Sequence, residues 1–584
     1  MDLRAHFEPR SLALIGASAD PLSISARPLR MLVQHGYPGR LYPINPKYAE
    51  LQGLRVFPNI GAVPERVDLA IVAVPAPAVV PVLRECAQAG VRFAVVLSSG
   101  FAEAGPHGRE MQNAIAEAIA GSGLRVNGPN AEGLYYPAGR VCATFSPALD
   151  PEHGFPVPTA ETIATAETVP TSQSVATAQT VPTSQSIATA ETTRTNQTTP
   201  RAKTIRTAQT TPRDQTIATD EMVPTSQSIA TAQTLPTSQS MAAADTIATA
   251  ETTPRPTPTP SITASGPATA ETASIGVVSQ SGGLGFAILN HGREVGLDFG
   301  AVVSTGNEVD LGWLDYASYL LEQPHIRVIL GFVEGLRGRA EDLEHVAEKA
   351  AQLRKPIIIA KIGRTRAAAN AAANHTGSDV GDDQWYDRTF RRLGIIRVED
   401  VDEMLDLAAY FGVGRLPSGR RLGVLTTSGG AGAWLVDACA TRGFLIPPPD
   451  RGEQDAIRSF IPSYGCTGNP VDITAQAVFG GGFERALGIL LRSPEFDVVA
   501  GVGSMVREDR FLSSLPDLRA ALDGSERAVV FYSYTRPSLA VVRALAELGI
   551  PCYTTPVRAA RALAAAADYA DFIRNRRFVQ HGVD

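Results

Sequence analysis

His375 is the residue best suited to covalent chemistry. It is the bulky polar side chain in a run of small residues, AAANAAANHTGS over 367–378. An imidazole nitrogen can attack a phosphoryl group and hold it covalently. A lone histidine is more often a satisfied surface or core residue, so the weight of His375 rests on its companions. Glu334 closes an apolar run, RVILGFVEG (327–335), and a carboxylate at such a strand end can hold the other ring nitrogen and fix the tautomer. Two glycine-rich turns, SQSGGLG (279–285) and TSGGAG (427–432), each follow an apolar run. Amides around Ser281, Gly282 and Gly283, and around Ser428, Gly429 and Gly430, would open helices and receive phosphate charge. Each turn also fits a tight strand-to-helix connection with no ligand. NPVDIT (469–474) beyond the second turn fits a turn capped by Asp472.

A further anion signal lies near the amino terminus. SLALIGAS (11–18) is an apolar run leading into Gly16, Ala17 and Ser18, and RLYPINPK (40–47) is a second strand ending in Lys47. NAD-binding folds place an acidic residue at the second strand end for the ribose hydroxyls. A lysine suits a phosphate instead, which favours CoA, with its 3′-phosphorylated ribose, over NAD. Taken alone, Lys47 equally fits a surface lysine.

These residues need elements to hold them. Strand-like runs at 11–18, 40–47, 68–75, 92–100 and 124–130 alternate with helical patterns at 22–35, 77–89 and 107–121. Alternation of this kind predicts a parallel, doubly wound α/β sheet whose ligands bind at the carboxyl ends of strands. The pattern resumes from 274, with strands at 274–279, 302–310, 327–335 and 355–365. After a seam at 413–421 it continues with runs at 421–426, 497–502, 527–533 and 550–553. The expected organisation is a Rossmann-like domain at 1–145, a low-complexity linker at 146–273, and two flavodoxin-like domains at 274–413 and 421–575.

The linker is a degenerate six-residue repeat (IATAET, VPTSQS, VATAQT) rich in Thr, Ala, Ser, Gln and Pro. It cannot bury enough apolar surface to offset its ordering entropy, and reads as a disordered spacer. A hexapeptide β-solenoid is the alternative, since an aliphatic residue recurs every sixth position. Decay of the register to TRTNQT and TPRAKT, and the prolines, weigh against it. The 584 residues carry a formal charge of −7, with 44% hydrophobic and 19% charged residues. That balance excludes a broad nucleic-acid surface. There is no apolar run long enough for a membrane span and no signal-peptide layout. Five scattered cysteines without a CxxC pair suggest neither disulfides, a zinc site nor any other metal site, and fit a reducing cytoplasm.

At this point the motifs assemble into a resemblance. IGAS, YPINPK, AVPAPAV, SSGFAE and GPNAEG occur in the order seen in the CoA-binding domain of ADP-forming acetyl-CoA synthetases and succinyl-CoA synthetase α subunits. SQSGGLG, GNE, Glu334-Gly335, NHTGS and YDRTFRRLGIIRV resemble the second domain of the same NDP-forming acyl-CoA synthetase family, and RLGVLTTSGGAG with NPVDIT resembles the third. The resemblance implies that Gly16, Ala17, Ser18, Lys47, Val74, Pro75, Ser99 and Asn130 lie near CoA. It implies that His375 is the phosphorylated residue, that Glu334 supports it, and that the helix starts at 281–285 and 428–432 form a paired cradle. Two departures stand out. Ala131 replaces a cysteine common after GPN, and GSDVGDDQ (377–384) sets Asp379, Asp382 and Asp383 beside the histidine.

The implied activity interconverts acyl-CoA, NDP and phosphate with a carboxylic acid, CoA and NTP. The family's ATP-grasp module is not recognisable in this sequence. A separate ATP-grasp β subunit, carrying ATP or ADP and Mg²⁺, is therefore the expected partner in a hetero-oligomer. The loop around His375 would swing between the two sites. The rival expectation is a CoA- or acyl-CoA-binding regulatory protein that kept the scaffold without turnover.

Overall fold

The structure, a computed structural model, describes residues 2–150, 275–376 and 380–576, with side chains described up to Ala372 and again from Val380. Residues 151–274, and with them most of the linker expected at 146–273 and the solenoid alternative, lie outside the described residues; the first five, 146–150, are not linker but pack on the first domain, with Leu149 buried and Asp150 paired to Arg30. No described helix is long and apolar enough to cross a membrane.

The first sheet consists of β1 (Ser11–Ile15), β2 (Arg40–Ile44), β3 (Leu69–Val72), β4 (Phe93–Val96) and β5 (Arg125–Asn127). Its order is β2-β1-β3-β4-β5, and all its pairings are parallel. Every residue of β1, β3 and β4 is buried. That is why these strands read as unbroken apolar runs rather than alternating ones: helices cover both faces. The helix expected at 22–35 starts later, at Arg27, behind a 3-10 turn at Ile24–Ala26, with Pro28 in its first turn.

Residues Gly133–Tyr136 (β6) and Val141–Thr144 (β7) follow. The sequence groups them with the first domain, yet they hydrogen bond to the second sheet. That sheet adds β8 (Ile275–Ser279), β9 (Phe299–Ser304), β10 (Val328–Val333), β11 (Ile357–Lys361) and β12 (Ile396–Val398), in the order β12-β11-β10-β8-β9-β6-β7. β6 pairs antiparallel with both β9 and β7. The third sheet has β13 (Leu422–Thr426), β14 (Val471–Asp472), β15 (Val498–Gly503), β16 (Ala528–Ser533) and β17 (Cys552–Tyr553), ordered β14-β13-β15-β16-β17 and parallel throughout.

The core runs across these sheets. Phe7, Leu134 and Tyr136 pack in one apolar cluster with Trp313, Tyr316 and Ile329 of the second domain, and the Phe7 and Tyr319 rings stack at 4.8 Å. Helix Val401–Val413 packs on the alanine-rich helix Pro556–Asn575, joining the second and third sheets through Tyr410, Ala560 and Leu563. Asp406, 3% exposed, fixes that contact. Its two carboxylate oxygens each accept from Arg558 Nε at 2.8 Å, and its carbonyl accepts from the Tyr553 hydroxyl at 2.9 Å.

One expectation is corrected here. The small-residue segment 367–378 is not a loop over most of its length, because Arg366–Thr376 is an α-helix. Small residues suggest a loop, but the segment is mainly alanine, the best helix former.

Candidate active site

Each of the three larger sheets contains a five-strand run ordered 2-1-3-4-5, so its first strand ends at a switch point where a crevice opens between diverging connections. In the first sheet that crevice holds the residues expected near CoA. Gly16 has φ +93, and a side chain there would meet the Ala73 carbonyl oxygen at 2.5 Å, so only glycine lets the two loops approach. The buried Ala17 accepts a hydrogen bond from Asn45 Nδ2 at 2.8 Å, and Asn45 Oδ1 accepts from the Lys47 amide at 3.0 Å. The next connection joins through Ser98, whose hydroxyl donates to the Val74 carbonyl at 2.5 Å. Pro75 precedes helix Ala76–Gln88, and Ser99 is exposed after β4. Asn130, at φ +59, donates its amide to the Ser98 carbonyl at 2.9 Å. The structure thus brings all eight residues to one edge.

An open groove of about 320 Å³ borders this edge, lined by Ser18, Ala19, Pro21, Arg30 and Glu50 among others. Arg30 is paired with Asp150 at 2.5 Å, and its buried Nε has no hydrogen-bond partner. Lys47 is exposed and makes no ion pair among the described residues. Two cations beside a glycine turn fit the phosphates of CoA, whereas Glu50 on the same wall would have to face away from them.

At the second switch point Ser281 precedes helix Gly282–Glu294 without a side-chain cap bond. Ser279 Oγ donates to the Ser281 carbonyl at 2.5 Å, which holds the turn. Gly283 is open, and a side chain on Gly282 would collide with the Glu132 side chain at 2.8 Å. Glu132, 8% exposed, therefore sits against this helix start, and burial raises its carboxyl pKa against an opposing hydrogen bond from the Ser146 hydroxyl. Glu334 follows β10 and is 4% exposed. Its amide donates to Gln280 Oε1 at 2.7 Å. Gln280 Nε2 donates to Glu308 Oε2 at 3.0 Å, and Glu308 Oε1 accepts from the Thr305 hydroxyl at 2.7 Å and the Trp313 amide at 3.0 Å.

The loop carrying Glu308 also touches the CoA side. Asn307 N donates to the Pro129 carbonyl at 2.8 Å, Val309 N donates to the Gly128 carbonyl at 2.9 Å, and Asn130 Nδ2 reaches Asn307 Oδ1 at 3.4 Å. Arg125 and Asp310 reinforce the same junction with paired bonds of 2.8–3.1 Å.

His375 lies in the last turn of helix Arg366–Thr376, and its side chain is outside the described residues. The acidic residues after it are partly accounted for. Asp382 caps helix Asp383–Leu393 by accepting from the Gln384 amide at 3.1 Å, and Asp383 pairs with Arg397. Asp379 is outside the described residues. At the third switch point Ser428 precedes helix Gly429–Ala440, Gly430 is open, and a side chain on Gly429 would meet Asp472 Oδ2 at 2.8 Å. Asp472 Oδ1 accepts from the Thr474 amide at 2.9 Å. Among the described residues no hydrogen bond joins the two glycine-rich helix starts, and each faces a carboxylate of its own.

The sequence does not single out Gln280, Glu308 and Glu132, although they lie inside the SQSGGLG, GNE and GPNAEG motifs. Their signal was position: each adjoins a glycine-rich or GPN turn at a strand end, where side chains converge. No group of His, Cys, Asp and Glu among the described residues could hold a metal.

Three family models match in the order of the sheets: a CoA binding domain over 10–137, a succinyl-CoA ligase like flavodoxin domain over 272–411 and a Ligase-CoA domain over 422–501. The chain is 27% identical to the α subunit of ADP-forming acetate–CoA ligase I of Pyrococcus furiosus, over 97% of each chain. It is 26% identical to ADP-forming acetate–CoA ligase I of Archaeoglobus fulgidus, over 98% of this chain and 64% of that one. Among solved structures it resembles dinucleotide-forming acetyl-coenzyme A synthetase 1 of Ca. Korarchaeum cryptofilum, solved with phosphate and ADP, at 26% identity, a TM-score of 0.70 and 98% coverage of both chains. Three sheets, three matching domains in one order and relatives aligned across them lead to one conclusion: this chain belongs to the NDP-forming acyl-CoA synthetase family.

Proposed function

We propose that this chain is the α-type component of an NDP-forming acid–CoA ligase, interconverting acyl-CoA, NDP and phosphate with a carboxylic acid, CoA and NTP. The observation that carries the reading is the loop at 305–311, bonded on one side to the GPN turn at 128–130 and on the other, through Glu308 and Gln280, to Glu334. A CoA-side loop and a phosphate-side carboxylate thus belong to one continuous piece of structure.

In this reading His375 is the phosphoryl carrier. Its imidazole nitrogen attacks the phosphorus of an acyl phosphate, the bond from phosphorus to the carboxylate oxygen breaks, and the acid leaves. The phosphoryl group then passes to NDP. Glu334 holds the second ring nitrogen and stabilises the charge that develops there. The helix starts at Ser281–Gly283 and Ser428–Gly430 supply amides to the phosphoryl oxygens. Glu132 stands beside the first of those starts and Asp472 beside the second. Gly16, Ala17, Ser18, Lys47, Val74, Pro75, Ser99 and Asn130 border the CoA site.

The nucleotide and its Mg²⁺ are assigned to a separate ATP-grasp subunit. The coverage figures support this. The relative named as an α subunit is matched over 97% of its length, whereas the A. fulgidus relative, whose name carries no subunit designation, is matched over 64%. We assign the protein to the cytoplasm, where Cys86, Cys142 and Cys439 would persist as the buried free thiols they are.

The test is phosphoryl labelling by ATP in the presence of the ATP-grasp partner. The full chain is expected to acquire an acid-labile phosphate, and His375→Asn to acquire none. Labelling that persists in His375→Asn would overturn the assignment.

A further inference from the structure

We propose that Gln280 and Glu308 are positioning residues for Glu334: a buried clamp that fixes the Glu334–Gly335 strand end relative to the CoA-side turn at 128–130. The inference rests on the reading above, in which Glu334 supports a phosphorylated His375.

The geometry of Gln280 is the first argument. Its Oε1 accepts from the amides of Glu334 at 2.7 Å and Gly335 at 3.2 Å, and its Nε2 donates to the Gly335 carbonyl at 2.8 Å and to Glu308 Oε2 at 3.0 Å. Two acceptor sites and two donors are the full capacity of a carboxamide. A flipped amide would set NH₂ against two N–H groups, so the orientation is fixed by its partners. Glutamate at this position would lack the donors and methionine would lack both. The backbone of Glu334 is thereby held by a side chain from the neighbouring strand end, independently of the sheet ladder.

Glu308 is the second argument. It adopts φ +53, uncommon for a residue other than glycine, and is 4% exposed. Its neighbours on both sides are tied to the CoA-side turn, Asn307 to Pro129 and Val309 to Gly128. The Asn307 side chain also donates to Glu103 and Gln112 of the first domain. With its backbone anchored on that side, Glu308 turns its carboxylate the other way and meets Gln280. Buried polar groups that are fully satisfied rigidify and specify one arrangement. An apolar pair would fill the space without linking the two loops, so the polar pair answers a need for fixed relative position.

The clamp makes two expectations in the full chain. In the labelling assay with ATP, Mg²⁺ and the ATP-grasp partner, Glu308→Gln should phosphorylate His375 about 10- to 100-fold more slowly. Its dissociation constant for CoA should stay within about twofold of the parent, separating positioning from binding. Labelling at the parent rate would overturn the proposal. Independently of any activity, hydrogen exchange at the Glu334 and Gly335 amides should speed up by about tenfold or more in Gln280→Met and, to a smaller degree, in Glu308→Gln. Unchanged protection in both variants would likewise overturn it. If the parent protein is not labelled at all, the functional reading fails while the exchange measurement still decides the clamp. Glu308→Gln keeps the side-chain volume and serves should Gln280→Met not fold.

Discussion

Glu308 accepts three hydrogen bonds and feels the Arg337 guanidinium, yet burial outweighs them and pushes its carboxyl up to about 7 from 4.5. A carboxyl whose folded pKa is raised binds its proton more tightly in the folded state. Its stabilising contribution is therefore complete below about 4.5 and is lost as pH rises through about 7. Glu308→Gln removes that dependence. Denaturant unfolding of both proteins should show the parent losing on the order of 3 kcal/mol relative to the variant between the two ends of this window. Parallel stability profiles would rule out a raised pKa for Glu308. At the same scale, Glu132 lies beside Gly282 and Asp472 beside Gly429, so each of these helix starts already has a carboxyl group close by, where negative charge is favoured.

Among the elements, the strands buried on both faces were the most legible in the sequence, and the helices expected at 77–89 and 107–121 also form, as Ala76–Gln88 and Pro106–Ile119. β1, β8 and β13 read as unbroken apolar runs because each is flanked on both sides by parallel strands, and the glycines after β8 and β13 open helices directly, at Gly282 and Gly429. The eight residues expected near CoA rest on the family resemblance, and the structure places them together after strand ends of the first sheet. What was illegible depends on tertiary context. Arg366–Thr376 looks like a loop in the sequence because small residues carry no apolar stripe, yet their high helix propensity makes it a helix. Gln280 and Glu308 lay inside recognised motifs, but only the sheet order shows that β8 ends between β9 and β10 and so brings the two side chains together. The joint between helices Val401–Val413 and Pro556–Asn575 was equally hidden, because Asp406 and Arg558 are far apart in the chain. Asp406→Ala should cost about 2–3 kcal/mol, less than a fully buried pair because Arg558 is 35% exposed and regains water. Urea unfolding checks this, and a change below about 0.5 kcal/mol would show that apolar packing alone holds the joint.

At the scale of the whole molecule the first and second domains are not separable at residue 145. Leu134, Tyr135 and Tyr136 are at most 5% exposed, and β6 registers Tyr135 with Val302 and Leu134 with Val303 of β9. A fragment of residues 1–145 would present a bare apolar hairpin with an unpaired edge, the arrangement that templates aggregation. By size-exclusion chromatography it should run as oligomers, whereas a fragment ending at Ala131 should not self-associate through this edge. A monomeric 1–145 fragment would show that β6 and β7 can be satisfied without β9.

The same hairpin has a consequence for how the protein is made. Thr144 closes β7, and β9 does not begin until Phe299, 155 residues later (299 − 144). At translation rates of about 5–20 residues per second, the hairpin emerges roughly 8–30 s before the strand it pairs with has been synthesised. During that interval its apolar face and open edge are available to any other chain nearby. Slower passage of the ribosome through the repeat would lengthen this exposure, and faster passage would shorten it.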